Sequence, residues 1–376
     1  MTKLKRLPLH DFHVDKNAKF ASFGGWEMPL SYGSSLDEHN GTRKEVGVFD
    51  VSHMGQIQVK GQESSEFLDF ILTNNLFKCK VGCALYSPMC NEDGGTIDDL
   101  IVYRKDSEDF LLCVNASNLN KDLEHLQFHA SKYSCQLLDH SKNIGLIAIQ
   151  GPRSTELIQK LFSQDTLCMK KMAFEEIEFC KESVLVARTG YTGEDGYEIY
   201  ISIKNLSSLV KLLESLLEEY EGGWVGLAAR DSLRLEAGFP LYGNELSDSI
   251  SPISANLAWS VCFDEGDFLG KEALLEERSK RDLERVIHYV VKDRRIPRKG
   301  CRILYDETDI GEVLSGGFSP LLKAPIGSAL IQGSKDITLV KHSLYAELRG
   351  SLLPIELGPP VLKDERFNPY RKNPQL

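Results

Sequence analysis

Apolar and polar positions along the chain follow two rhythms. Residues 55 to 61 alternate Ile57 and Val59 with Gln56, Gln58 and Lys60, the period of a half-buried strand. Just upstream, Ser35 and Glu38 form a capping-box pattern, with Asp37 and Glu38 in a first turn, Arg43 and Lys44 near the end, and Gly47 closing the predicted helix. Phe67, Phe70, Ile71 and Asn74 then recur at helical spacing. Two strand patterns, Thr96 to Arg104 and Phe110 to Val114, flank the polar turn Lys105-Asp106-Ser107-Glu108 and predict an antiparallel hairpin. Residues 118 to 132 return to a helical rhythm through Leu119, Leu123 and Leu126.

The second half continues in kind. An apolar strand, Ile144 to Ile149, ends in Gly151-Pro152, and Leu157, Ile158, Leu161 and Phe162 follow on one helical face, with Pro152 suited to the first helical position. This strand-glycine-helix unit lacks GxGxxG and GxxxxGK[ST], so it reads as a plain turn and supports no nucleotide site. A hairpin pattern around residues 183 to 202 precedes an amphipathic helix through Leu206, Leu209, Val210, Leu213 and Leu217. The charge-dense stretch Glu272 to Arg285 reads as a solvated helix at a domain boundary, and short strand patterns between glycines beyond it predict a small β-rich C-terminal domain. Strands and helices alternate without a steady βαβ rhythm and without a repeat of fixed period, so the fold class is α+β.

A length of 376 residues points to about two or three domains. With 42% apolar and 26% charged residues the chain is globular, and a net charge of -11 argues against non-specific nucleic-acid binding. A small anionic ligand stays open, because one or two arginines can make a local positive pocket. Nine cysteines without CxxC spacing read as reduced thiols, and nine histidines without HExxH give no support for a metal. No apolar run approaches bilayer length, so no membrane role is expected. The start, MTKLKRLPLHDFH, has no secretory core and leaves little for a transit peptide, so a bacterial cytoplasm is the expected compartment, ahead of a mitochondrial matrix.

Three segments could carry chemistry. In Gly94 to Tyr103, two acids enter an apolar strand, and alternation sets Asp98 on one face and Asp99 with Ile101 and Tyr103 on the other. Either an inward carboxylate is displayed in a cavity or both acids cap the strand end in solvent; pattern does not choose. In Thr189 to Glu198, glycines and polar residues make a turn, Glu194 and Asp195 read as turn solvation, and Glu198 begins a strand. In Gly226 to Gly238, Ala229, Leu233 and Ala237 recur every fourth residue while Arg230 and Arg234 share another face, which most often means surface arginines paired with acids such as Asp231 or Glu236.

Taken with Gly24-Gly25-Trp26-Glu27-Met28-Pro29-Leu30, Phe49 to Gly55, and Asp267 to Leu274, these segments closely resemble the T-protein family of the glycine cleavage system. Ser315-Gly316-Gly317-Phe318-Ser319-Pro320 is similar to a loop of that family's C-terminal domain, and the resemblance covers nearly the whole chain. It implies a three-domain clover-leaf around a central funnel: residues 1–57 with 141–243, residues 58–140 with 244–281, and residues 282–376. It further implies an aminomethyltransferase, with tetrahydrofolate as co-substrate, the lipoylated H-protein as partner, and no metal. Position by position, Glu198 matches the carboxylate that binds the pterin, Arg230 its basic partner, and Asp99 the catalytic aspartate. Tyr86, Tyr103, Met54, Cys113, Asn115 and Tyr191 match positions lining the folate cavity. The tail from Gly358 lacks the family's Lys-Pro-Phe ending, with Tyr370 at the equivalent aromatic position.

Three relatives of this fold are the alternatives. A folate-dependent tRNA-modifying protein carries a lysine-glycine-cysteine signature near its centre, a signature that this chain is expected to lack. The folate domain of dimethylglycine and sarcosine oxidising enzymes is normally fused to a flavin domain with GxGxxG. A non-catalytic folate-binding module would have no need of Asp99.

Overall fold

A computed structural model describes residues 3–163, 169–280, 282–333 and 344–363. The chain divides into two compact units, residues 1–87 with 99–230 and residues 88–98 with 231–376.

The first unit holds a three-stranded sheet near the N-terminus, in which Trp26–Ser31 pairs with Lys5–Arg6 and Lys19–Phe23. Its main sheet has six strands in the order Phe174–Phe179, Glu182–Ala187, Gly196–Ser202, Ile144–Gln150, Gly47–Asp50 and Gly223–Trp224. The central pair, Ile144–Gln150 against Gly196–Ser202, is antiparallel and sets Ala148 opposite Glu198. The apolar faces of Ser154–Phe162 and Ile203–Leu217 cover this sheet, burying Leu157, Ile158, Leu206, Leu209 and Leu213 with Ile147, Ile149 and Ile199. A further sheet runs in the order Cys83–Cys90, Thr96–Arg104, Asp109–Val114, Gly55–Lys60 and Gln136–Asp139; residues 88–98 at the ends of its first two strands belong to the second unit.

The second unit closes into a barrel of six strands: Arg285–Val291, Ala324–Ile331, Thr308–Ser319, Arg302–Tyr305, Leu344–Leu348 and Ser351–Gly358. Tyr289, Val291, Ile303, Val313, Ala329 and Leu353 fill its interior. The expected α+β class and β-rich C-terminal domain are therefore present. Among the described residues no helix is long and apolar enough to cross a membrane.

Several elements depart from expectation for local reasons. The helix Ser35–Lys44 is capped one residue earlier, by Ser34, whose hydroxyl accepts the Asp37 N–H at 3.3 Å. Glu38 does not close a capping box, because its carboxylate accepts from the backbone N–H groups of Tyr32, Gly33 and Gly226 at 2.7, 3.2 and 2.9 Å. Pro152 stands two residues before the helix Ser154–Phe162, whose N-cap is Arg153. The intervening turn needs Gly151, at φ +133°, where a Cβ would lie 2.4 Å from the Glu45 carbonyl oxygen. Asn74 lies past the helix Ser64–Ile71 and donates instead to the Tyr86 carbonyl at 2.9 Å. The charged helix stops at Ser279, and the barrel takes over at Arg285. Residues 315–319 are the end of a long barrel strand rather than a loop, and at Gly316 a Cβ would stand 1.8 Å from the Pro297 carbonyl oxygen. Strand Phe174–Phe179 is not among the predicted elements, because its adjacent Glu175 and Glu176 break the alternation that marks a half-buried strand.

Candidate active site

Strand Thr96–Arg104 decides the question of the two acids. Asp98, in the second unit, is completely buried, while Asp99, in the first, keeps part of its surface. Neither simply caps the strand end in solvent. Asp99 Oδ2 accepts the Tyr86 hydroxyl at 3.0 Å, and its Oδ1 accepts the Asn115 amide at 2.9 Å. The same amide also reaches the Asp99 carbonyl oxygen at 3.1 Å, so Asn115 ties the carboxylate to its own backbone. Tyr86, on strand Cys83–Cys90, and Asn115, just past the end of strand Asp109–Val114, thus converge on one carboxylate from its two neighbouring strands, in line with the register of Ile101 opposite Cys113.

Tyr103 lies on the same strand face as Asp99, four residues on and therefore about 13 Å along the strand. Its ring is fully buried, and its hydroxyl meets three groups: the Tyr200 hydroxyl donates at 2.9 Å, Thr189 stands at 3.3 Å and Glu198 accepts at 3.4 Å. Thr189 donates to Glu198 Oε2 at 2.5 Å. Burial, followed by the charge of Glu198, pushes the Tyr103 hydroxyl well above its ordinary range, so it stays protonated and remains a donor. The Tyr200 hydroxyl is raised likewise, first by burial and next by Cys113. All hydrogen bonds from these groups enter Glu198 at Oε2, which leaves Oε1 open among the described residues.

Arg230, near the start of the helix Leu227–Ala237, stacks on the Tyr191 ring at 4.7 Å from its centroid. Burial lowers its pKa, and Tyr191, Glu198 and Cys113 pull it back up. The turn carrying Tyr191 is not held by solvated acids. Arg43 donates to Glu194 at 2.8 Å and to the Thr192 carbonyl at 2.7 Å, and Arg188 grips Asp195 through two donors at 2.9 and 2.5 Å. These pairs anchor both ends of the turn, which is why its acids are not free in water.

The structure therefore groups Glu198, Arg230, Tyr191, Tyr103 and Cys113, and separately groups Asp99, Tyr86 and Asn115, with one strand face running between them. Met54 sits in a segment fixed by its N–H to the Val51 carbonyl. Tyr370 lies outside the described residues. Sequence reasoning missed Thr189 as a partner of Glu198, although it stands in the same quoted turn. It also missed Tyr200, which alternation places on the Glu198 face. His53 was missed as well: buried beside Arg230, its ring pKa falls to about 3, first from burial and then from the Arg230 charge, with Asp50 opposing. The expected absence of a lysine-glycine-cysteine tripeptide is corrected by Lys299-Gly300-Cys301, which falls just ahead of barrel strand Arg302–Tyr305 and not near the centre of the chain, with Lys299 donating to Asn244 at 3.2 Å.

Fold and site together define a class: an α+β protein with a terminal barrel, whose site sets an open carboxylate oxygen and a stacked guanidinium near buried tyrosines, the furniture for a flat ligand with polar edges. Two family models match, the GCVT N-terminal domain over residues 9–265 and the glycine cleavage T-protein C-terminal barrel domain over residues 285–364. The aminomethyltransferase of Thermoanaerobacter pseudethanolicus is 42% identical over 332 residues, covering 88% of this chain and 90% of that one. That of Caldanaerobacter subterraneus subsp. tengcongensis is 40% identical over 377 residues, covering 99% and 98%. A crystal structure of the glycine cleavage system aminomethyltransferase T from Bartonella henselae superposes with a TM-score of 0.88 at 34% identity, over 97% of this chain and 99% of that one. The chain belongs to the glycine cleavage T-protein family.

Proposed function

We propose that this chain is the aminomethyltransferase of a glycine cleavage system. It moves the methylene carbon of an aminomethyl group, carried as an S-CH2-NH2 adduct on the lipoyl arm of the H-protein, onto tetrahydrofolate. The carbon's bonds to sulfur and to the amine break, and bonds to folate nitrogens 5 and 10 form. The two N–H protons of the folate leave with the sulfur and the amine, so the products are dihydrolipoyl H-protein, ammonia and 5,10-methylenetetrahydrofolate.

One observation carries the reading of the site: Glu198 and Asp99 are tied to the same face of one strand, through Tyr103 at one end and directly at the other. Glu198, with Oε1 open, would accept the parallel N–H donors of the pterin's amino edge. Arg230, stacked on Tyr191, would meet the ring carbonyl. Asp99, steadied by Tyr86 and Asn115, would face the reacting nitrogens and hold a proton while positive charge develops there. Tyr103, Cys113 and Met54 would complete the walls. The division into residues 1–57 with 141–243, 58–140 with 244–281, and 282–376 belongs to the same reading.

The test is direct. The protein is mixed with tetrahydrofolate and aminomethylated H-protein, and ammonia release is measured. Release that depends on both components supports the assignment; release that ignores folate, or none at all, removes it.

A further inference from the structure

Arg230 and Asp50 line one small pocket, with Met28, Tyr32, Val225 and Leu227 among its other walls. A guanidinium and a carboxylate lining a mostly apolar pocket attract strongly, because little water screens them. Yet Arg230 forms no ion pair among the described residues and lies instead on Tyr191. The explanation is on the carboxylate side. Asp50 Oδ2 stands 2.8 Å from His13 Nε2, and its Oδ1 accepts the Ser52 N–H at 2.9 Å. His13 Nδ1 in turn stands 2.8 Å from the Tyr32 hydroxyl. With that hydroxyl donating to Nδ1, the ring proton sits on Nε2 and points at Asp50. The side chains of His13 and Asp50 have no exposed surface, and Phe12, Tyr32 and Trp224 pack edge-on around the His13 ring. Burial, followed by the charges of Asp50 and Glu38, pushes the Tyr32 hydroxyl up, so it remains a donor.

We propose that His13, backed by Tyr32, is a positioning residue: by occupying Asp50 it prevents an internal Asp50 to Arg230 ion pair and keeps Arg230 available to the ligand. The inference rests on the functional reading above, in which Arg230 meets the folate ring. A chain without the His13 donor leaves one buried carboxylate oxygen unsatisfied, and Arg230 is the cation lining the same pocket.

The experiment is titration calorimetry with tetrahydrofolate on the full chain, paired with turnover at saturating folate. His13→Phe keeps the ring shape and removes the donor, and is expected to weaken folate binding about tenfold while turnover at saturation stays within about twofold. Adding Asp50→Asn to His13→Phe removes the competing charge and restores the affinity to within about threefold of the parent chain. His13→Gln, which can still donate to Asp50, binds within about threefold. If His13→Phe does not fold, Tyr32→Phe alone and with Asp50→Asn makes the same comparison, with about threefold weakening and its recovery. Folate binding unchanged by loss of the donor, or a double variant no tighter than the single one, overturns the proposal. A parent chain that does not bind tetrahydrofolate overturns instead the functional reading beneath it.

Discussion

Arg230 and Arg234 stand one helical turn apart in Leu227–Ala237 and have opposite fates. Arg234, 2% exposed, spends its donors on Asp231 at 2.8 Å, Glu245 at 3.0 Å, the Phe239 carbonyl at 3.1 Å and the Ser315 hydroxyl at 2.8 Å. Arg230 has the Tyr191 ring and no carboxylate partner among the described residues. The same contrast divides two acids. Glu245 accepts from Arg234, Ser328 and the Leu241 N–H, whereas Glu198 receives its hydrogen bonds at one oxygen. A saturated buried ion holds the fold. Glu198 and Arg230 are only half-buried, so water reaches the hydrogen-bonding capacity that the protein leaves unused, and that capacity is what a polar ligand would take up.

Asp99→Asn should break the contrast most severely at the functional end. It lowers turnover about a hundredfold to ten-thousandfold while folate affinity changes far less, as a coupled methylene-folate assay beside calorimetry would read. Arg234→Met removes the partner of a buried Glu245 and should cost about 3 to 5 kcal/mol of stability, visible as a large drop in thermal midpoint. Arg230→Met, in contrast, should leave the thermal midpoint nearly unchanged and weaken folate. If both arginine changes lower the midpoint equally, the distinction between them fails. Glu198→Gln keeps the shape and loses the charge, so it should cost about 1.5 to 3 kcal/mol of folate affinity. Equal, small effects from Asp99→Asn and Glu198→Gln would count against both roles.

The smallest effect is in pH. Burial, followed by the Arg230 charge, holds the His53 ring down at about 3. Unfolded, the same ring titrates near about 6.5, so its folded value is depressed and the unfolded chain gains the proton first. The stabilisation is complete above that unfolded value and is lost as pH falls toward 3. Between neutrality and pH 5.5 the loss is about 1 kcal/mol, and His53→Asn should flatten that slope in thermal melts.

The hydrophobic rhythms identified most long elements because burial on one face imposes its period on the residues that must do it. The hairpin of Thr96–Arg104 with Asp109–Val114 and the helix Ile203–Leu217 appear where alternation and helical spacing place them. Caps and turns were read less well. Ser34 rather than Ser35 caps its helix, and Glu194 and Asp195 are paired rather than solvated, because their partners at Arg43 and Arg188 stand far off or across a turn. Of the site, Asp99 stood out as an acid in an apolar strand and Glu198 through the family resemblance; Thr189 and Tyr200 lie near Glu198 in sequence, but nothing in the pattern tells that their hydroxyls turn toward the site, and no spacing rule links His53 to it.

By itself, the sequence determined where strands and helices form, that the last part is rich in strand, and which family the motifs resemble. Those properties depend on neighbours a few residues away and survive as pattern. Only the tertiary structure decided which of two adjacent aspartates is sealed and which is offered, and which of two arginines is spent on the fold. It also decided that Asp50 is occupied by a histidine 37 residues earlier in the chain. Each of these outcomes is set by whether a polar atom finds a partner after the chain has folded, and partners so distant in sequence leave no periodic trace.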